Sequence, residues 1–78
     1  MLNKNADQWL EGVVKRIVAA NGSCYRETSI LAQPHTLERD RDTWNDDHKV
    51  VNVVATTPEA DGYCPGFAVD LVTGTICG

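Results

Sequence analysis

The chain has 78 residues, with 7 basic and 11 acidic side chains, a net charge of −4 and 42% hydrophobic residues. That is the size of one domain, 1–78, burying roughly 60–65% of its unfolded surface. An acidic chain without a Lys/Arg cluster lacks the phosphate-contacting charge of a nucleic-acid binder, and no run approaches the ~18 apolar residues of a transmembrane helix.

So small a core is commonly reinforced by disulfides, metal or oligomerisation. The three cysteines, Cys24, Cys64 and Cys77, cannot all pair within one chain and show no C-x-x-C spacing. They read mostly as free, partly buried thiols of a reducing compartment, with a single disulfide as the alternative. The polar residues after Met1 do not form a secretory leader. A cytoplasmic protein is expected.

Ala6–Ala20 carries apolar residues at Ala6, Trp9, Leu10, Val13, Val14, Ile17 and Val18, the spacing of an amphipathic helix. Asn5 with Gln8 forms a capping-box-like start. Asn21-Gly22 supplies a stop that tolerates the left-handed conformation. Glu11 and Lys15 are spaced as a helical ion pair, and Lys15 and Arg16 lie near the end that favours cations. The apolar arc spans about half the circumference, more than one flat contact needs. Trp9 and Gly12 are therefore candidates for self-association. Gly12 either permits a close backbone approach or is a tolerated surface glycine.

Ser23–Leu31 carries Tyr25, Thr28 and Ile30 and predicts a strand ended by Gln33-Pro34. His35–His48 is the most polar segment, with charges alternating from Glu38 to Asp42. It reads as a loop, a helical turn or a strand extension. Trp44 within it either folds back onto the core or faces a partner. Lys49–Thr56 is the strongest strand signal. Val51, Val53 and Ala55 share one face, Val50 and Val54 the other. Thr57–Gly62 is a loop marked by Pro58 and Asp61-Gly62, and Pro65-Gly66 distorts the start of the next strand. In that strand Phe67, Val69 and Leu71 share a face. Thr73-Gly74 turns the chain into Thr75-Ile76-Cys77.

The order predicts an α+β fold: one N-terminal amphipathic helix packed on a three- to four-stranded antiparallel sheet. One helix covers one face, so valines on both faces of Val50–Val54 imply a homodimer or a docked partner.

The closing stretch Phe67–Ile76, FAVDLVTGTI, resembles the last hairpin of small cystatin-like and PepSY-type domains. The likeness rests on an apolar strand, an Asp, a Thr-Gly turn and a short apolar strand. Asp70 is placed to accept hydrogen bonds from that turn. The resemblance implies an inhibitor, an immunity protein or a regulatory module rather than an enzyme.

Constellations for chemistry are thin. A thiol nucleophile would pair Cys24 or Cys64 with His35 or His48, and no spacing joins them. Zinc on Cys24, Cys64, Cys77 and a histidine lacks paired-ligand spacing. Asp40, Asp42, Asp46 and Asp47 lack the glycine and terminal glutamate of an EF-hand loop. The glycines are dispersed, so no phosphate-binding loop forms. No cofactor, nucleic acid or membrane is expected. The expectation is a non-catalytic protein-binding module, an inhibitor of the immunity or phage anti-defence (anti-CRISPR) type. Its partner-binding residues would be Glu38, Asp40, Asp42, Trp44, Asp46 and Asp47. The alternatives are a self-associating structural or regulatory subunit, and a small thiol enzyme using Cys64.

Overall fold

The helical period of Ala6–Ala20 is realised as α1, Lys4–Ala20, in a computed structural model that describes residues 4–39, 44–45 and 49–77. The helix begins before Asn5, which therefore lies inside it rather than capping it. Its last turn carries no basic residue, Lys15 and Arg16 falling just short of it. The stop is as expected. Gly22 takes φ 84°, and the Asn21 backbone N–H donates to the Ile17 carbonyl at 3.1 Å. The Asn21 side-chain amide donates both to that carbonyl, at 2.8 Å, and to the Gly74 carbonyl, at 2.9 Å.

The segment predicted as a strand is instead a second helix, α2, Tyr25–Ala32. Its apolar residues Ile30 and Leu31 lie three and four residues after Glu27, a helical spacing, and Ile30 is buried in one cluster with Val14 and Val18 of α1. Burial of this stripe outweighs the β preference of Tyr25, Thr28 and Ile30. Thr28 ties the first turn by donating both its backbone N–H and its hydroxyl to the Cys24 carbonyl, each at 3.0 Å. Gln33, forced out of the helical region by Pro34, is extended and ends α2.

Four strands follow: β1, His35–Arg39; β2, Val50–Ala55; β3, Gly66–Asp70; and β4, Thr75–Cys77. They form one antiparallel sheet in the order β1-β2-β3-β4. The architecture is thus α+β, with two helices where one is read from the sequence.

Strand alternation sorts the sheet into two faces. Leu37, Val53 and Phe67 are cross-strand neighbours on one face, as are Val51, Val69 and Ile76. Both helices pack on this face. Val14, Val18, Ile30, Val53, Ala55, Phe67 and Val69 form the buried cluster, with Ile17, Leu31, Leu37, Leu71 and Ile76 around it. Each buried valine contributes on the order of 1.5–3 kcal/mol. The other face carries Val50, Asn52, Val54 and Ala68, all half-buried, and Glu38, which is exposed. No described element covers it.

Two local devices set the strand ends. A Cβ on Gly66 would lie 2.7 Å from the Val53 carbonyl oxygen, so β3 can approach β2 there only without a side chain. At the far end Asp70 Oδ1 accepts from the Val72 N–H at 2.9 Å and the Thr73 N–H at 3.1 Å, as anticipated for the Thr73-Gly74 turn.

Candidate partner-binding surface

The wide apolar arc of α1 divides between two neighbouring residues. Leu10 is buried and Trp9 is 66% exposed. Gly12 is half-buried, and a Cβ there would meet nothing within 4 Å. Within the chain, therefore, no described backbone approaches it closely.

The polar segment is strand as far as Arg39. Glu38 is exposed on the uncovered sheet face. Trp44 is half-buried beneath the Arg39 guanidinium, 4.7 Å from the ring centroid. Its aromatic face is thus engaged within the chain by a cation–π contact. Asp40, Asp42, Asp46 and Asp47 lie outside the described residues, as does His48.

His35 is far from an idle surface residue. Its side chain is 8% exposed, and both ring nitrogens have partners: Nδ1 lies 2.8 Å from the Gln33 carbonyl and Nε2 2.8 Å from Glu11 Oε1. Neither exposed thiol, Cys24 or Cys64, is among those partners. The thiols are not partly buried as the sequence suggested. Cys24 precedes the first turn of α2 and Cys64 lies in the loop before β3, both outside the core. Among the described residues, no three His, Cys, Asp or Glu side chains come together as metal ligands.

The prominent exposed feature is one that the sequence reading missed. Tyr25, at the start of α2, is 88% exposed, and Tyr63 is 54% exposed. They line a cleft of about 390 Å³ between α2 and the 57–65 loop. Arg26, Ser29 and Gln33 continue the α2 wall, with Ile30 among the lining residues. Pro58, Glu59 and Pro65 line the loop side. Arg26 Nη2 donates to the Tyr63 hydroxyl at 3.5 Å, a long contact between the two walls.

The loop wall is ordered by its own backbone. The Glu59 N–H donates to the Tyr63 carbonyl and the Gly62 N–H to the Glu59 carbonyl, both at 2.8 Å. Gly62 has φ 83°, and Asp61 Oδ1 accepts from the Tyr63 N–H at 3.0 Å. Prolines at 58 and 65 stiffen the loop further. Both tyrosine rings are thus presented from fixed backbone rather than from a floppy segment.

Arg26 and Tyr63 also line a shallow hollow of about 440 Å³ that runs onto the uncovered sheet face, with Glu38, Asn52, Ala68 and Cys64. They form a ridge between the two depressions, which makes cleft and sheet face one continuous surface. A hidden signal lay in the pattern: once residues 25–32 are helical, Tyr25 falls off the buried stripe of Glu27 and Ile30 and must face solvent.

No α-helix among the described residues is long and apolar enough to cross a membrane. No family model, no curated protein and no solved structure matches the chain, so its surface is read from its own geometry.

Proposed function

We propose that this chain is a non-catalytic protein-binding module, an inhibitor of the immunity-protein or phage anti-defence (anti-CRISPR) type that works by occupying a protein target. The observation that carries the reading is the pair of exposed tyrosines, Tyr25 and Tyr63, around a cleft that also holds Arg26. Tyr and Arg are enriched among the residues that dominate the energetics of protein interfaces, Tyr because a large ring with two torsions is buried at small entropic cost and keeps a polar tip, Arg because its planar fork makes several hydrogen bonds at once. The likeness of the last hairpin to cystatin-like and PepSY-type domains points the same way.

Relative to the surface expected from Glu38–Asp47, the centre of contact moves to α2 and the 57–65 loop. Glu38 stays at its edge through the adjoining hollow. Trp44 is less suited, since its ring is already stacked with Arg39.

Affinity capture from the native host lysate tests this, with the wild type compared against the Tyr25→Ala/Tyr63→Ala double variant. A protein retained by the wild type and lost with the double variant is expected, and adding the chain should lower that protein's activity. Equal retention by both baits would remove the cleft from the account.

A second reading, self-association as a structural or regulatory subunit, is favoured by the 66% exposure of Trp9 on α1. Sedimentation at micromolar concentration separates the two. A dimer converted to monomer by Trp9→Ala supports self-association, and a wild-type monomer rejects it.

A further inference from the structure

The cleft carries two opposite charges that do not meet. Arg26 lines it from α2 and Glu59 from the loop. The ion pairs among the described residues are Glu11 with Lys15 and Glu11 with His35, so neither Arg26 nor Glu59 has an opposite charge within 4.0 Å there. Arg26 makes only the long contact to the Tyr63 hydroxyl, leaving most of its fork of donors open. In a chain with 11 acidic side chains, an Arg left free beside two exposed rings is a recognition element rather than a counter-charge.

We infer that the cleft receives an extended peptide segment of a protein partner, which sets an Asp or Glu side chain on Arg26 and a Lys or Arg side chain beside Glu59. This deepens the proposed function and rests on it. The peptide character follows from the mixture of groups on the walls. Tyr25, Tyr63, Pro58 and Pro65 offer flat apolar surface for side chains. Thr57, together with the hydrogen-bonding capacity that Ser29 and Gln33 keep beyond their mutual bond (Gln33 Nε2 to Ser29 Oγ, 3.0 Å), offers partners to a peptide backbone. Tyr25 is almost wholly exposed, so an occupant lies along the surface and is not engulfed. The guanidinium fork matches a carboxylate with two parallel hydrogen bonds, which fixes the direction of the bound chain. Glu59 on the opposite wall rejects a second acid and accepts a cation, which fixes its register.

The test is selection of a random dodecapeptide display library on the full chain, with Arg26→Gln, Glu59→Gln and Tyr25→Ala/Tyr63→Ala as parallel baits. Circular dichroism and thermal melts confirm that each variant folds. The enriched peptides are expected to share an acidic and a basic position at fixed spacing. As synthetic peptides they should lose roughly tenfold or more in affinity for Arg26→Gln, the size of one charge-assisted hydrogen bond. Arg26→Lys should lose part of that, and Arg26→Glu should select a basic residue where the wild type selects an acidic one. Peptides that need the tyrosines but show no acidic position, or bind Arg26→Gln as well as wild type, overturn the charge assignment and leave the binding-module reading standing. Selection of no peptide sensitive to the tyrosine variant overturns the peptide cleft itself, while lysate capture judges the broader reading separately.

Discussion

Glu11 and His35, 24 residues apart in sequence, meet at 2.8 Å and tie α1 to the first residue of β1. The imidazole stands between two acceptors, the Glu11 carboxylate and the Gln33 carbonyl. A neutral ring has one N–H and can donate to one of them, whereas the imidazolium donates to both. Glu11 also has Lys15 as a partner, but at 3.9 Å and with the lysine well exposed.

Because the His35 side chain is nearly out of solvent, removing its partner strands a polar nitrogen. Glu11→Ala is expected to cost about 1–3 kcal/mol in urea unfolding. Glu11→Gln should cost less, since its amide can still bond the ring. Lys15→Ala should stay within about 0.5 kcal/mol. A double-mutant cycle on Glu11 and His35 should show coupling of about 0.5 kcal/mol or more. No coupling would mean that the contact does not hold α1 to the sheet.

The same substitution should act in opposite directions at two glycines. Gly12→Ala adds a methyl into open space within α1 and removes a helix-weakening residue, so stability should rise by about 0.5–1 kcal/mol. Gly66→Ala drives a Cβ against the Val53 carbonyl oxygen, which is backbone and cannot swing aside. A loss of about 1–3 kcal/mol is expected. Denaturation midpoints of the two variants decide the matter.

The helical state of residues 25–32 sets Ile30 inside and Tyr25 outside. Ile30→Ala should therefore cost about 2–5 kcal/mol, a large share of what so small a domain has. Tyr25→Ala should change stability by no more than about 0.5 kcal/mol. Comparable losses at both positions would contradict the helix.

The two tryptophans offer an optical check. Trp9 is exposed, whereas Trp44 is half-buried under Arg39. Acrylamide should quench the emission of Trp44→Phe, which retains Trp9, more strongly than that of Trp9→Phe. Arg39→Ala in the Trp9→Phe background should raise quenching and cost about 0.5–1 kcal/mol.

Much of the fold was legible because its signals are periodic and local. The apolar spacing of α1, the alternation of Val50–Ala55 and Phe67–Asp70, and the turn at Asp70 all rest on residues within a few positions of one another. Residues 25–32 were misread because a short segment with Tyr, Thr and Ile suits either period, and what decides between them, the burial of Ile30 in one cluster with Val14 and Val18, involves separate elements. The cleft was hidden for the same reason. Its walls are α2 and a loop some 30 positions later, brought together only by the fold. His35 looked isolated because Glu11 is distant in sequence. For Trp44, the sequence left open folding back onto the core and facing a partner; the ring is half-buried against Arg39, outside the core cluster.

The contact between α1 and β4, reinforced by the Asn21 amide on the Gly74 carbonyl, joins the earliest and the latest elements of the fold. During synthesis α1 therefore emerges well before its seat exists. The strands can pair one after another, each with its neighbour in the chain, and Val14 and Val18 can meet Ile30 of α2 early, but α1 lacks the rest of its seat until the sheet is finished. Arrested nascent chains ending at Leu71 should accordingly leave α1 open to protease, while chains extended past Cys77 close over it.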